Sequence, residues 1–190
     1  VLIDNKKEFI DIGKVRLNNK VYFYNSTSGI GFDAHMLKLN TNIGFIKLKR
    51  IFGHLSYILA ALCLSLRYKS ARTDIKFNGK LHNIRLFELN ANFVKSMSGM
   101  KVTPNADGKS GFFDIFLFRK VFWPKMVIGF IWYYITSKKI PFREAEYITN
   151  NPKLNSFNLE KITKFSIDDI LPVHLNGDYI GTGKVEFEIM

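Results

Sequence analysis

Apolar residues fall at every second position in several short stretches of this chain, each bounded by turn-forming residues, and that period marks half-buried strands. Phe9-Ile10-Asp11-Ile12-Gly13-Lys14-Val15 and Lys20-Val21-Tyr22-Phe23-Tyr24 flank an Asn18-Asn19 pair and predict a hairpin at the start of the domain. Thr73-Asp74-Ile75-Lys76-Phe77 alternates up to Asn78-Gly79, a strong two-residue turn signal, and a long return strand follows from Lys80 to Leu89. Further strands are expected at 113–118, 164–167, 172–175 and 185–189, with Asn176-Gly177 joining two of them. Residues 51–68 are apolar nearly all round, so they predict a helix buried under other elements. A short helix is expected after Gly29-Ile30-Gly31-Phe32-Asp33-Ala34, and another at 124–136 with Pro124 at its first position. Between the first two helices, Asn40, Asn42, Gly44 and Lys47 to Arg50 read as a polar, basic loop. The sum is a mainly β (α+β), antiparallel, sandwich-like domain with two or three helices and no internal repeat.

Composition narrows this reading. With 190 residues, 47% hydrophobic and 15% aromatic, the chain can pack one domain with a real core. The lone cysteine, Cys63, leaves no partner for an internal disulfide, which fits a reducing, cytosolic setting. Its place in the apolar helix reads as a buried, inert thiol. The opening Val1-Leu2-Ile3-Asp4 does not read as a secretory leader, and it leaves open a fragment of a longer protein. Residues 51–66 contain Gly53 and His54 and fall short of the ~20 apolar residues of a membrane span; 112–135 is split by Asp114, Arg119, Lys120, Pro124 and Lys125.

The formal charge of +12 is unevenly placed: residues 34–143 carry +15 and the flanks −3. A field of that sign attracts polyanions, whether nucleic acid, a phosphorylated ligand or an anionic bilayer, although a basic surface can also serve solubility alone. Lys47, Lys49 and Arg50 before the apolar helix, with Arg67, Lys69 and Arg72 just after it, are the candidate membrane-facing cations. No recognised nucleic-acid motif accompanies them, which argues against RNA or DNA as the partner.

Gly29-x-Gly31-x-x-Ala34 imitates a dinucleotide fingerprint, but no acidic residue lies between Asp33 and Asp74, so the glycines are expected to serve a tight turn. The four histidines show no metal-ligand spacing, and no Gly-x-Ser-x-Gly elbow occurs. Two loops are richer. Residues 104–114 combine turn formers with Asp107 and Asp114, a composition suited to wrapping a hard cation or to a plain turn. Asn176-Gly177-Asp178 is either a plain turn or one that presents Asp178 as a base for a hydroxyl.

Read in order, Ile10-Asp11-Ile12-Gly13-Lys14-Val15, Asn25-x-x-Ser28-Gly29-Ile30-Gly31-Phe32-Asp33-Ala34, Pro104-Asn105-Ala106 through Gly111-Phe112-Phe113-Asp114, and Asn176-Gly177-Asp178 resemble the diacylglycerol kinase family of lipid kinases, with sphingosine and ceramide kinases as relatives. The resemblance covers nearly the whole chain but only the family's second, β-rich domain. The family's nucleotide-binding domain, with its Gly-Gly-Asp-Gly-Thr phosphate loop, has no counterpart in these residues.

The resemblance implies the acceptor side of a transfer from ATP to a lipid hydroxyl, made by a cytoplasmic enzyme peripheral at an anionic membrane. Its partners would be the missing N-terminal nucleotide-binding domain and the lipid, with a homodimer left open. It implies Asp178 as the base, where bacterial members carry Asp-Gly-Glu, with Asp11 in support. Asn25, Ser28, Gly29, Gly31 and Asp33 would then shape the interdomain cleft. ATP and magnesium would serve the complete enzyme. Many relatives hold a structural magnesium in the loop matching 104–114, but Lys109 and Ser110 stand where they carry paired aspartates, leaving Asp114 and Asp107 as weak ligands. Met97-Ser98-Gly99 likewise replaces a run of three small residues. These departures fit a divergent or degenerate kinase; a basic binding module without catalysis is the alternative.

Overall fold

The computed structural model describes residues 8–39, 42–68, 70–96, 102–119, 124, 128 and 144–190. Among them the chain begins with β1 (Gly13–Leu17) and β2 (Lys20–Tyr24), then β3 (Ser28–Gly31), α1 (Phe32–Leu39), α2 (Ile43–Phe52) and α3 (His54–Arg67). β4 (Ala71–Phe77), β5 (Lys80–Asn92), β6 (Asp114–Arg119) and β7 (Ala145–Ile148) follow. A 3₁₀ turn (Pro152–Leu154), β8 (Lys164–Leu175) and β9 (Asp178–Ile189) complete the order.

The described strands form one antiparallel sheet in the order β2-β1-β9-β8-β3-β5-β6-β7, with β4 paired to both β5 and β8. β3 and β4 lie end to end between the two long strands: β8 pairs with β4 at Phe165 and Ile167 and with β3 at Val173 and Leu175. β5 does the same from the other side. The long strands must bend to serve two partners, and β8–β9 changes register between Ile167 and Leu171. A bridge from Phe113 to Ile162 draws the β6 side toward the entry to β8, so the sheet curls into a barrel-like form rather than two separate layers.

Three turns have the backbone their residues favour. Asn18 and Asn19 have φ of 47° and 68°, Asn78 and Gly79 of 44° and 84°, and Asn176 and Gly177 of 51° and 87°, the two successive left-handed residues of a tight hairpin. Asn78 does more than turn the chain: its Oδ1 accepts from the Thr163 and Lys164 N–H groups at 3.1 and 3.2 Å, pinning the start of β8.

The interior follows the period of two. Val15, Ile75, Phe77, Leu89, Phe113, Ile115, Leu117, Phe165, Ile167 and Phe187 are all fully buried. Phe165 stacks on Phe187 with centroids 4.5 Å apart, and Phe113 meets Tyr24, Phe93, Phe165 and Phe187. The opposite face carries cross-strand ion pairs, including Arg16–Glu186 and Lys76–Asp168.

The helical segment departs from the sequence expectation in two ways. Residues 43–52 form α2 rather than a loop. Asn42 explains it, because its Oδ1 accepts the Gly44 N–H at 2.8 Å and the Phe45 N–H at 3.4 Å as an N-cap. The α3 helix is not buried all round either: Leu66 is 59% exposed and Cys63 is exposed, correcting the inert core thiol. α3 packs on α2 and α1 at the side of the sheet, so part of its apolar surface stays uncovered. The helix expected at 124–136 falls outside the described residues except for Pro124 and Ile128, both helical. No described helix is long and apolar enough to cross a membrane.

Candidate functional site

Among the described residues, a polar cluster sits within the sheet where β3 runs into α1. β5 places Glu88, Asn90 and Asn92 at alternate positions on one face, and all three are buried. Glu88 Oε2 accepts the Asp33 N–H at 2.6 Å and Oε1 accepts from Asn90 Nδ2 at 3.0 Å. Glu88 therefore caps the start of α1 from a neighbouring strand, where the helix dipole favours an anion. Burial first, and the Asp33 carboxylate second, nonetheless hold its carboxyl well above the ordinary glutamate range.

His174 of β8 enters the same cluster from the other side of β3. Its side chain is fully buried, and Nε2 lies 2.9 Å from Asp33 Oδ2. The N–H direction misses that oxygen, so neither ring nitrogen has an aligned hydrogen bond among the described residues. Gly29 makes room for the ring: a Cβ there would lie 2.2 Å from His174 Nε2 and 2.8 Å from Asn90 Nδ2. Gly31 serves a different need, with φ of +112° at the strand-to-helix step and the Phe87 carbonyl oxygen 2.5 Å from where a Cβ would be. The glycine pair is thus a packing and backbone requirement of the sheet rather than a tight turn.

Ser28 is buried beside the cluster. Its Oγ donates to the Ala91 carbonyl at 2.7 Å, an oxygen that also accepts from the Tyr24 hydroxyl at 3.0 Å. Asn25 is exposed on the link between β2 and β3. Strand register relates these positions to Asp178: Ser28 lies opposite Leu175, which lies opposite Asp178, and in the next row Gly29, His174 and Tyr179 align. Asp178 is exposed at the first position of β9, two strands over from Ser28.

Asp11 is elsewhere. Its N–H donates to the Gly108 carbonyl at 2.7 Å and its Oδ2 accepts the Gly111 N–H at 2.9 Å, tying the 104–114 loop to the entry of β1. The Met190 N–H donates to the Ile12 carbonyl beside it, so Asp11 sits at the last residues of β9 and Asp178 at the first, roughly 35 Å apart along the strand. The structure does not bring them together.

In the 104–114 loop, Asp107 Oδ1 accepts the Lys109 N–H at 2.9 Å, and Lys109 Nζ pairs with Glu8 at 2.6 Å. Ser110 Oγ donates to the Phe112 carbonyl at 3.1 Å. Asp114 is 3% exposed, and burial, followed by the Asp107 charge, pushes its carboxyl up to about 6. Asp107 and Asp114 are the carboxylates of this loop, and no group of three or more acidic, His or Cys residues that could hold a metal ion occurs among the described residues.

Of the candidate cations, Lys47 and Arg50 are exposed on α2, Arg67 at the end of α3 and Arg72 on β4. On α2 they lie between exposed Ile46 and Ile51, and the four positions span about 140° of one helix face. The Lys49 side chain, Lys69 and Met97-Ser98-Gly99 lie outside the described residues.

The curled sheet with a helical excursion after its third strand has counterparts among solved structures. A "putative diacylglycerol kinase" from Bacillus anthracis str. Sterne matches 95% of this chain with a TM-score of 0.56 at 17% identity. A diacylglycerol kinase from the same organism matches 95% with a TM-score of 0.53 at 12% identity. The fold is that of part of a diacylglycerol kinase. The chain spans about half the length of these proteins, 54% and 50% respectively. No family model and no curated protein matches the sequence.

Motif spacing does not single out Glu88, Asn90 or His174. The signal that points to the first two is the run Glu88-Leu89-Asn90-Ala91-Asn92, in which a long strand alternates polar with apolar residues and so places its polar row together on one face.

Proposed function

We propose that this chain is the C-terminal, acceptor-side domain of an ATP-dependent lipid kinase that phosphorylates a hydroxyl of a diacylglycerol-like lipid. The observation that carries the reading is the match of nearly the whole chain to about half of each diacylglycerol kinase chain, on a fold that keeps the Ser28–Asp33 step two strands from Asp178. ATP and its magnesium belong to the nucleotide-binding domain that these residues do not include, and they supply the transferable phosphoryl group. Asp178 takes the proton of the lipid hydroxyl as its oxygen bonds to the transferred phosphorus and the bond to the ADP oxygen breaks. An exposed carboxylate on a tight hairpin suits that task, because the turn holds its backbone while the side chain stays accessible to the acceptor.

The two cations of α2, flanked by exposed Ile46 and Ile51, support an anionic bilayer rather than nucleic acid as the polyanion, with the enzyme peripheral at the cytoplasmic face of the membrane. The test joins the chain to its upstream coding region and measures phosphate transfer from ATP to diacylglycerol. Asp178→Ala is expected to lose at least about 100-fold in transfer, the usual range for a general base. Equal activity in both proteins removes Asp178 from the mechanism, and no activity in either favours the basic binding module without catalysis.

A further inference from the structure

We propose that β2 is a self-pairing edge, at which a second copy of this chain adds its own β2 antiparallel and continues the sheet across both molecules. The inference goes beyond the lipid kinase reading and does not depend on it. The described sheet ends at β2 on one side and at β7 on the other, and the two ends are treated differently. Along β7 the chain folds back: the Ser156 N–H donates to Glu146 Oε2 at 2.8 Å and the Lys161 N–H to the Thr149 carbonyl at 3.0 Å. β2 pairs with β1 and, among the described residues, with nothing on its other side. It carries no proline and no bulge, devices that usually guard such an edge, and its one charged residue is Lys20 at the first position.

The hairpin decides which groups face outward. Leu17 and Lys20 flank the two-residue Asn18-Asn19 turn and so form a hydrogen-bonded pair, as do Val15 with Tyr22 and Gly13 with Tyr24. Alternation then turns the N–H and C=O groups of Val21 and Phe23 away from β1, toward the open edge. The same two residues hold the exposed apolar side chains of the strand, 48% and 57% exposed. A second β2 set antiparallel about a two-fold axis at Tyr22 brings Val21 of each copy opposite Phe23 of the other. Both pairs exchange N–H···O bonds in both directions, and each Val21 packs on a Phe23 across the seam.

Charge fits a second copy better than a polyanion. On the same face, Lys14 and Arg16 of the next strand are already paired with Glu188 and Glu186 at 3.8 and 3.7 Å. In the proposed register Lys20 falls beside Tyr24 of the second copy, which leaves the two Lys20 positions roughly 14 Å apart, beyond the screening length of physiological salt. A seam five residues long belongs at the low end of specific interfaces, below about 1,200 Å², so the association is weak and reversible. The net charge of +12 on each copy opposes it, and salt relieves that repulsion.

The experiment is sedimentation equilibrium from about 10 μM to 1 mM, the range for a weak interface, on this chain and on the chain joined to its upstream coding region. The average mass is expected to climb from one copy toward two, more steeply at high salt, and Phe23→Lys at its exposed position should raise the concentration needed by about tenfold or more. Single cysteines in a Cys63→Ser background read the register. Tyr22 faces its own copy across the axis in a non-hydrogen-bonded pair, with Cα atoms about 4.5 Å apart and within disulfide reach, so Tyr22→Cys should cross-link under mild oxidation. The two Phe23 positions lie more than about 7 Å apart, and Phe23→Cys should not. A chain that stays monomeric throughout overturns the proposal whether or not the variants fold. So does a dimer that Phe23→Lys leaves unchanged, or one in which Phe23→Cys cross-links in preference to Tyr22→Cys. Pairing that is lost in the longer protein assigns the edge to the upstream region instead, and overturns it as well.

Discussion

Gly29→Ala tests the idea that β3 lacks a side chain at this position because His174 occupies its space. A Cβ would lie 2.2 Å from Nε2, more than 1 Å inside ordinary contact, so the ring has to move. The ring is fully buried and Nε2 sits 2.9 Å from Asp33, so movement forces a poor rotamer and breaks that contact. Overpacking of this kind costs about 1–3 kcal/mol and a strained side-chain torsion about 0.5–1.5 kcal/mol, giving an expected loss of about 2–3 kcal/mol. For a domain of this size that is a fall in Tm of about 4–12 °C. The decisive comparison is a double-mutant cycle. With His174→Ala already made, the nearest remaining atom is Asn90 Nδ2 at 2.8 Å, and Gly29→Ala should cost about 1 kcal/mol or less. Urea denaturation of the four proteins measures the coupling, expected at about 1–2 kcal/mol. Additivity within about 0.5 kcal/mol would refute the reasoning, because the cost would then come from the backbone and not from the histidine.

Phe113→Ala removes a ring that meets four other aromatics at full burial, and calorimetry should register a loss of about 3–5 kcal/mol; a shift below about 1 kcal/mol would mean that the site collapses around the gap. Calorimetric titration with magnesium is expected to give no saturable heat in the low-millimolar range (about 1–5 mM), since the 104–114 loop offers only Asp107 and Asp114; submillimolar binding abolished by Asp114→Ala would contradict this. Co-sedimentation with vesicles should rise with the fraction of anionic lipid and fall with salt, each cation of α2 and α3 near the surface adding about 1 kcal/mol; equal binding to neutral vesicles would sink electrostatic docking.

The hairpins are legible in the amino-acid sequence. Each is announced by two residues that tolerate positive φ, flanked by strands of clear alternation, and both signals are local. The aromatic core is legible for the same reason, since a period of two assigns Phe77, Phe165 and Phe187 to one face without knowing their partners. Helix α2 is signalled by the Asn42 cap but masked by its lysines, which suit a loop and an exposed helix equally well. Strand β7 has no comparable signal, because four residues paired on one side with β6 are too few for a period to stand out.

What the sequence determined by itself is therefore everything governed by neighbours along the chain: strand period, turn geometry and the inward set of apolar residues. Tertiary structure alone decided which distant residues meet. Glu88, Asp33 and His174 come from positions up to 141 residues apart, and their contact exists because β3 lies between β5 and β8 in one particular register. The same long-range pairing carries Asp11 and Asp178 to opposite ends of β9, although both belong to one set of motifs in the sequence. Local rules cannot reach such outcomes, since a one-residue slip in any of these ladders would turn the polar row of β5 to the other face and dissolve the cluster.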